Sequence, residues 1–365
     1  MKHNWEYKRL GDICDLYQPK TIAASELVED GEYDVYGANG IIGKFTRYNH
    51  EFPEILLTCR GATCGTINIS NPKSWINGNA MVIHSKSSEL LFAYLKYAMT
   101  ALDYSNIITG AAQPQITRQS LAPTNIPLPP MVVQEHIVAE LDKINDVIED
   151  CRELLRNLDA LAQSLFYDFF GDPVTNPKGW EIKKLDEICR AISTGITYKP
   201  DNVADIGTIV LRSSNIQNSS FVLDDIVHID MSLKPSQYVQ KNDILMCSRN
   251  GSARLVGKVA LIPQLNEKMS WGAFMTIIRS DYYHYLFQFF RLPAFREQLT
   301  KTKTTTVNQI TIGMLKKIQI PMPPLSLQEQ FASRIEQIEA QKKAVEETIE
   351  NLQTLLDSRM DYWFN

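Results

Sequence analysis

Arginines and lysines interleaved with Asn, Gln, Ser and Gly form the chemically expressive stretches of this 365-residue chain. They are RGATCG at 60–65, GAAQPQITR at 110–118, LRSSNIQN at 211–218, SRNGSAR at 248–254 and TKTKTTTVNQ at 300–309. A guanidinium or ammonium contacts a phosphate, and an amide or a guanidinium fork reads a base edge, so this mixture suits nucleic-acid contacts. Solvated loops carry the same composition, and one such loop alone means little. Their occurrence at comparable places in both halves of the chain points to DNA. The candidate contacts are Lys44, Arg60, Gln113, Arg118, Arg212, Asn215, Arg249, Asn250, Arg254, Lys301 and Lys303. Arg60 and Arg249 each follow a strand-like run, LLTC or MCS, and stand ahead of a glycine, which lets the backbone bring a guanidinium close to a base edge.

Other chemistry is sparse. The sequence holds no GxxxxGK[ST] phosphate loop, no GxGxxG after a strand, no HExxH and no GxSxG. GANGIIG at 37–43 has the wrong spacing for a dinucleotide turn and reads as a tight β-loop. Asp172 with Glu181-Ile182-Lys183 resembles an acidic-x-Lys nuclease cluster, but the copy at Glu6-Tyr7-Lys8 has no matching Asp, and metal-assisted cleavage needs clustered carboxylates. Lone histidines such as His136 and His228 read as structural. Cys14, Cys59, Cys64, Cys151, Cys189 and Cys247 contain no CxxC pair and read as small buried hydrophobes in a reducing compartment, with no zinc site. The expectation is a non-catalytic chain that binds no metal or cofactor.

Composition, 44% apolar and 22% charged, is that of a globular protein large enough for two or three domains. The N-terminus lacks an apolar signal region, and no run of about 18 apolar residues occurs, so a cytoplasmic location without a membrane span is expected. The net charge of −5 gives no general sign of nucleic acid. Local charge does: residues 189–325 hold 16 Lys plus Arg against 9 Asp plus Glu, a difference of +7, whereas residues 14–130 hold 8 against 10, or −2.

The elements that must carry these loops are written twice. PLPPMVVQEHIVAELDKI at 127–144 recurs as PMPPLSLQEQFASRIEQI at 321–338, an offset of 321 − 127 = 194, far beyond the roughly 20–50 residues of a solenoid repeat. WEYKRLGDIC at 5–14 recurs as WEIKKLDEIC at 180–189, an offset of 175, so the second half carries 194 − 175 = 19 extra residues between these anchors. From PQIT at 114–117 and NQIT at 308–311 the offset of 194 holds to the C-terminus. Each half is therefore a variable region, rich in short β-like runs, followed by a constant one.

The constant region is helical by periodicity. Ile137, Leu141, Ile144, Ile148, Cys151, Leu155, Leu158, Ala162, Leu165 and Phe169 alternate spacings of four and three, the seam of a left-handed coiled coil. The copy gives Phe331, Ile335, Ile338, Lys342, Val345, Ile349, Leu352, Leu356, Arg359 and Trp363. Lys342 and Arg359 are read as cations snorkelling to solvent, with a polar register-setting role as the alternative. Prolines 127, 129 and 130, and 321, 323 and 324, mark the helix starts, and GDPVTNPKGW is a turn-rich linker. The expected fold is α+β, with an internal pseudo-two-fold repeat. Globular domains at 1–130 and, with the linker, 172–324 are joined by antiparallel coiled-coil helices at 131–171 and 325–365.

These residues resemble the specificity subunits of type I restriction-modification systems. The carriers are the early Trp with KRLGDIC and KKLDEIC, the doubled PxPP-x3-QE, the GDPVTNPKGW linker and the two long helices, so the resemblance spans the whole chain. It implies two target recognition domains, each reading one half of a bipartite double-stranded DNA site. It also implies conserved helices that dock two methyltransferase subunits, with restriction/translocase subunits completing the complex. S-adenosylmethionine, ATP and Mg would then belong to the partner subunits. A coiled-coil interaction scaffold without DNA specificity is the alternative. Under the resemblance the chain closes on itself, DYWFN returning near Trp5 as YDFFGD leads into Trp180. Each seam, at about 1.5 Å per residue, extends roughly 50 Å between the half-sites.

Overall fold

In the computed structural model, which describes residues 5–110, 114–301 and 309–364, the chain divides into residues 1–152 with 346–365 (unit 1) and residues 153–345 (unit 2). Unit 1 begins with β1 (Glu6–Arg9), the single turn α1 (Leu10–Ile13) and β2 (Cys14–Tyr17). It continues through β3 (Tyr33–Gly37), β4 (Gly40–Phe45), β5 (Ile55–Thr58), β6 (Ile67–Ile69), β7 (Trp75–Ile76) and β8 (Ala80–Ser85). Then follow α2 (Phe92–Ala101), the short α3 (Arg118–Leu121), β9 (Asn125–Leu128) and the long α4 (Met131–Phe170), which carries on into unit 2. The strands form a four-stranded sheet β2-β8-β5-β6, a three-stranded sheet β4-β3-β7 with β3 and β7 parallel, and the ladder β1-β9. An inner strand covered on both faces reads as an unbroken apolar run, and β5, ILLT, is buried at all four positions.

Unit 2 repeats this plan. Its elements are β10 (Glu181–Lys184), α5 (Leu185–Ile188), β11 (Ala191–Thr194), β12 (Val203–Ala204), β13 (Thr208–Leu211), β14 (Ile216–Gln217), β15 (Ser220–Phe221), β16 (His228–Ile229), β17 (Ile244–Cys247), β18 (Val259–Leu261), β19 (Met269–Trp271) and β20 (Met275–Arg279). They are followed by α6 (Tyr283–Arg291), α7 (Pro293–Lys301), α8 (Ile312–Leu315), β21 (Gln319–Met322) and the long α9 (Leu325–Phe364), whose last part belongs to unit 1. The sheet β11-β20-β17-β18 matches β2-β8-β5-β6, and the parallel pair β13/β19 matches β3/β7. The extra residues of this half add β12 and the hairpin β14-β15, for which unit 1 has no counterpart among the described residues.

The doubled motifs have a physical cause. β1 pairs with β9 with Glu6 opposite Leu128 and Arg9 opposite Asn125; β10 pairs with β21 with Glu181 opposite Met322 and Lys184 opposite Gln319. The WE-x-K-[RK] start of each half is thus one edge of a ladder, and the strand running into the prolines is the other. A proline in such a ladder is tolerated on a two-stranded edge, where Pro127 and Pro321 sit. Behind each ladder a tyrosine of the domain helix reaches the prolyl carbonyl: Tyr94 donates to Pro127 O at 2.9 Å, Tyr285 to Pro321 O at 2.5 Å.

The glutamine of each QE motif fixes the first turn of its helix. Gln134 Nε2 donates to Pro129 O (2.9 Å) and Glu89 O (2.7 Å), and its Oε1 accepts from the Leu91 amide (2.9 Å). Gln328 Nε2 donates to Pro323 O (2.8 Å), while its buried Oε1 has no partner. The α4 end is capped by the supposed linker: Gly171 takes φ +78, Lys178 Nζ donates to the carbonyls of Asp168 and Phe169, and Trp180 Nε1 to Phe170 O. A left-handed glycine and a cation at the last carbonyls are the standard chemistry of a helix C-terminus.

Within each unit the helix segments run antiparallel. In unit 1, Arg359 pairs with Glu140, Trp363 Nε1 donates to Glu140 Oε2 (3.0 Å), and Trp363 also stacks on Trp5 with ring centroids 6.0 Å apart. The return of DYWFN to Trp5 is borne out. In unit 2, Lys342 Nζ lies 3.1 Å from Asp159, and Phe331 packs against Phe166 and Phe170. Of the seam residues, Ile137, Leu141, Ile148, Leu158, Phe331, Ile335 and Ile338 are buried; Ile144, Leu155, Val345, Ile349 and Leu352 are half-buried. Past residue 162 the buried face of α4 shifts from Leu165 and Phe169 to Phe166 and Phe170. A straight helix drifts about 20° per heptad from a strict seam, and here it turns onto the aromatic cluster around Tyr285.

Lys342 corrects the snorkelling expectation. Its side chain is 7% exposed and ion-paired, with Asp159 also accepting from Arg291 Nη2 at 2.6 Å. Burial alone would raise the Asp159 carboxyl, but Arg291 and Lys342 outweigh it and hold the group below its ordinary value. Arg359, by contrast, keeps 29% of its side chain exposed while it pairs with Glu140 and lies against Tyr362 and Trp363.

Candidate nucleic-acid interface

The two loops that carry Arg60 and Arg249 are built alike. β5 and β17 are followed by a residue whose carbonyl accepts from the conserved Ile of the QIT segment: Ile116 N donates to Cys59 O (2.9 Å), Ile310 N to Ser248 O (2.7 Å). One residue on, Arg60 bridges Gln115 and Arg249 bridges Gln309 in the same antiparallel manner. Opposite them lies the turn between β7 and β8 or between β19 and β20, closed by Ala80 N to Asn77 O (3.1 Å) or Met275 N to Gly272 O (2.8 Å). That turn presents Asn79 in unit 1 and Phe274 in unit 2, both exposed. So the arginine and the glutamine are held in common, and the facing turn residue differs.

In unit 2 these parts line a cleft of about 1210 Å³, with Tyr198, Arg212, Ser213, Ser214, Asp225, Arg249, Phe274 and Gln309 around it. Arg249 Nε donates to Gln309 Oε1 at 2.9 Å, its Nη2 donates to the same oxygen, and its guanidinium lies 5.7 Å from the Phe274 ring centre. Phe274 is 58% exposed, yet its carbonyl accepts from the amides of both Ser248 (2.9 Å) and Arg249 (3.0 Å). Arg212 pairs with Asp225 at 2.6 Å, leaving its Nε buried without a partner, and Ser214 Oγ is likewise unpartnered. Buried polar atoms without partners are rare and call for a reason; here two of them line one cleft.

The structure sorts the remaining sequence candidates. Arg118 and Arg254 are exposed, the first opening α3 behind the Thr117 cap, the second in a 3-10 turn. Asn250 ties its loop to the turn after β13, donating to Ser213 Oγ (3.1 Å) and accepting from Ser252 N (3.0 Å). Lys44 lies on β4 and pairs with Asp34 at 3.0 Å; hydrogen bonds from Asn71 and Lys44 hold that carboxyl below its usual range. Asn215 is a correction: it is 0% exposed, its Nδ2 donates to Val222 O and Asp225 O, and its Oδ1 accepts from Arg212 N. With its amide consumed by backbone it cannot reach a ligand, and its work is to hold the Arg212 and Asp225 loops together. Gln113, Lys303 and the side chain of Lys301 lie outside the described residues.

Sequence reasoning missed Gln115, Gln309, Phe274 and Asn79. Gln115 and Gln309 sit at the 194 offset, a signal that could have favoured them over Gln113. The glycines of INGN and WGAF between apolar strands mark the turns that hold Asn79 and Phe274. No helix among the described residues is long and apolar enough to cross a membrane, and no group of three or more His, Cys, Asp or Glu among them could hold a metal.

Two domains of one plan, each ending in the same proline turn, glutamine clamp and long helix, make a duplicated architecture. The family model for the type I restriction modification DNA specificity domain matches residues 2–157 and 177–353, and the chain belongs to that family. It is 28% identical over 189 residues to the specificity subunit of the type I restriction enzyme EcoKI of Escherichia coli (strain K12), a match covering 49% of this chain and 40% of the relative. The match thus spans less than half the length of that relative. The Methanocaldococcus jannaschii MjaVIII specificity subunit is 22% identical over 376 residues, covering 92% of this chain and 86% of the relative. The crystal structure of the type I restriction-modification S subunit from M. genitalium superposes with a TM-score of 0.57 at 13% identity, covering 99% of this chain and 96% of that one. That likeness shows the shared fold.

Proposed function

We propose that this chain is the specificity subunit of a type I restriction-modification complex: it recognises a bipartite double-stranded DNA site, one half through each unit, and docks methyltransferase and restriction subunits. The observation that carries this reading is the repeated arginine-glutamine bridge beside β5 and β17, set in loops whose other side chains diverge. Shared framing with divergent contacts is what two half-sites of different sequence require. Family membership supports the same reading. The chain itself performs no catalysis and binds no cofactor; S-adenosylmethionine, ATP and Mg act in the two methyltransferase subunits and the restriction/translocase subunits, and the complex works in the cytoplasm on DNA rather than at a membrane.

The test is single-molecule sequencing of methylated DNA from cells carrying this gene with a methyltransferase partner. A two-part methylated sequence that disappears with the gene supports the reading. Methylation that persists unchanged without the gene sinks it. Purified chain should also bind duplex DNA with an affinity that falls as salt rises; a scaffold that binds only protein would show no such dependence.

A further inference from the structure

Arg249 is bonded along one edge and flanked by an aromatic ring, and what remains free on it has a definite shape. Gln309 Oε1 takes the hydrogens of Nε and of one Nη2 position, which occupies the side edge of the guanidinium. The Phe274 ring lies beside it, its centre 5.7 Å from the guanidinium carbon. The remaining edge, formed by Nη1 and Nη2, offers two parallel donors and no acceptor. Guanine is the base that presents two adjacent acceptors, O6 and N7, in the major groove. We propose that Arg249 is the guanine-reading residue of unit 2, and that Gln309 and Phe274 are positioning residues that fix the plane and direction of its free edge.

This inference rests on the DNA-recognition reading above. Three observations favour a base over a phosphate as the target. A phosphate accepts donors from many directions and needs no fixed plane, whereas a base edge lies in one plane, and Arg249 is held in one. Phe274 leaves more than half of its surface exposed on a main chain pinned by two amides, an apolar surface that gains by contact with stacked bases more than with a charged backbone. Arg249 lies in a cleft that Arg212, Ser213 and Ser214 also line, so a polar wall stands beside it. In unit 1 the same bridge faces Asn79 in place of Phe274, so the paired position there has a different neighbour and a different base step to fit.

The test is selection from a pool of random-sequence duplexes by the full chain in its methyltransferase complex, for wild type and the variants Arg249→Ala, Arg249→Lys, Gln309→Met, Gln309→Glu and Phe274→Leu. Lysine keeps the charge but loses the fork. Arg249→Ala should abolish a guanine requirement at one position of one half-site, a loss of discrimination of about 5- to 150-fold, with every other position unchanged, and Arg249→Lys should weaken the same position less. Gln309→Met should relax the same position, and Gln309→Glu, which keeps an acceptor there, should restore it. Phe274→Leu should weaken that position and its neighbour. An Arg249→Ala selection identical to wild type overturns the assignment. So does a uniform loss with Arg249→Ala across all sequences with a salt slope shallower by about one, which marks a phosphate contact. A wild-type complex that shows no sequence preference overturns the DNA-recognition reading itself, and the assignment with it.

Discussion

Removing Asp159 should cost more than removing either cation it serves. Arg291 and Lys342 have side chains 8% and 7% exposed, and both converge on the Asp159 carboxylate, which is 36% exposed. Asp159→Asn takes the carboxylate from Arg291 and leaves Lys342 with Glu339 alone, 3.3 Å away, both cations being out of water. Breaking a fully buried pair costs about 3–5 kcal/mol; because the carboxylate retains some solvent, about 2–3 kcal/mol is expected. Lys342→Met leaves the Arg291–Asp159 pair balanced and puts an apolar chain on the seam, so about 0–1 kcal/mol is expected. Arg291→Met falls between them, since Arg291 also donates to Gln288. Native-state hydrogen exchange of the α6 amides reads the stability of unit 2 directly. If Lys342→Met proves as costly as Asp159→Asn, or Asp159→Asn costs under about 0.5 kcal/mol, the account of Asp159 as the shared counter-ion is wrong.

Gln134→Leu should destabilise by about 2–4 kcal/mol, because three main-chain bonds are lost, while Gln328→Leu, which loses one, should cost about 1 kcal/mol; urea unfolding of both variants checks the order. Gly171→Ala should cost about 1–2 kcal/mol by thermal unfolding, since its φ is +78 and an added Cβ would lie 2.9 Å from Pro177 Cγ. Burial lowers the pKa of His284, with Glu336 partly opposing, and burial and then His84 lower that of His50. The unfolded chain therefore takes up protons first, so this stability is full above about pH 6.5 and falls as pH drops through the lower folded values. A melting temperature that stays flat between pH 7 and 5 would contradict it. Replacing residues 15–113 by the corresponding domain of another family member should alter one half of the methylated site and leave the other intact, as read by methylation sequencing.

The repeat, the long helices and their starts were legible because proline, heptad spacing and duplication act locally along the chain. The loop-start positions of Arg60 and Arg249 were legible for the same reason, as each follows an apolar strand. Asn215 was misread because its composition suits a base contact, while its burial depends on β13 and the loop at Asp225 folding over it. Lys342 was misread because its partner lies on another helix: the seam shows the cation, and only the packing of Asp159 and Arg291 shows why it stays inside. Phe274 escaped notice because an exposed aromatic is anomalous only once its neighbours are known.

The glutamine clamps hydrogen-bond only to main chain: prolyl and glutamyl carbonyls and one amide in unit 1, a prolyl carbonyl in unit 2. A joint of that kind is indifferent to the side chains of the domain it fastens. Any incoming domain that offers a carbonyl at the proline turn meets the same fitting, and its helix leaves at the same angle. For a gene, this makes the proline turns natural seams for recombination: crossing over there exchanges what is recognised and leaves the coupling between recogniser and helix as it was.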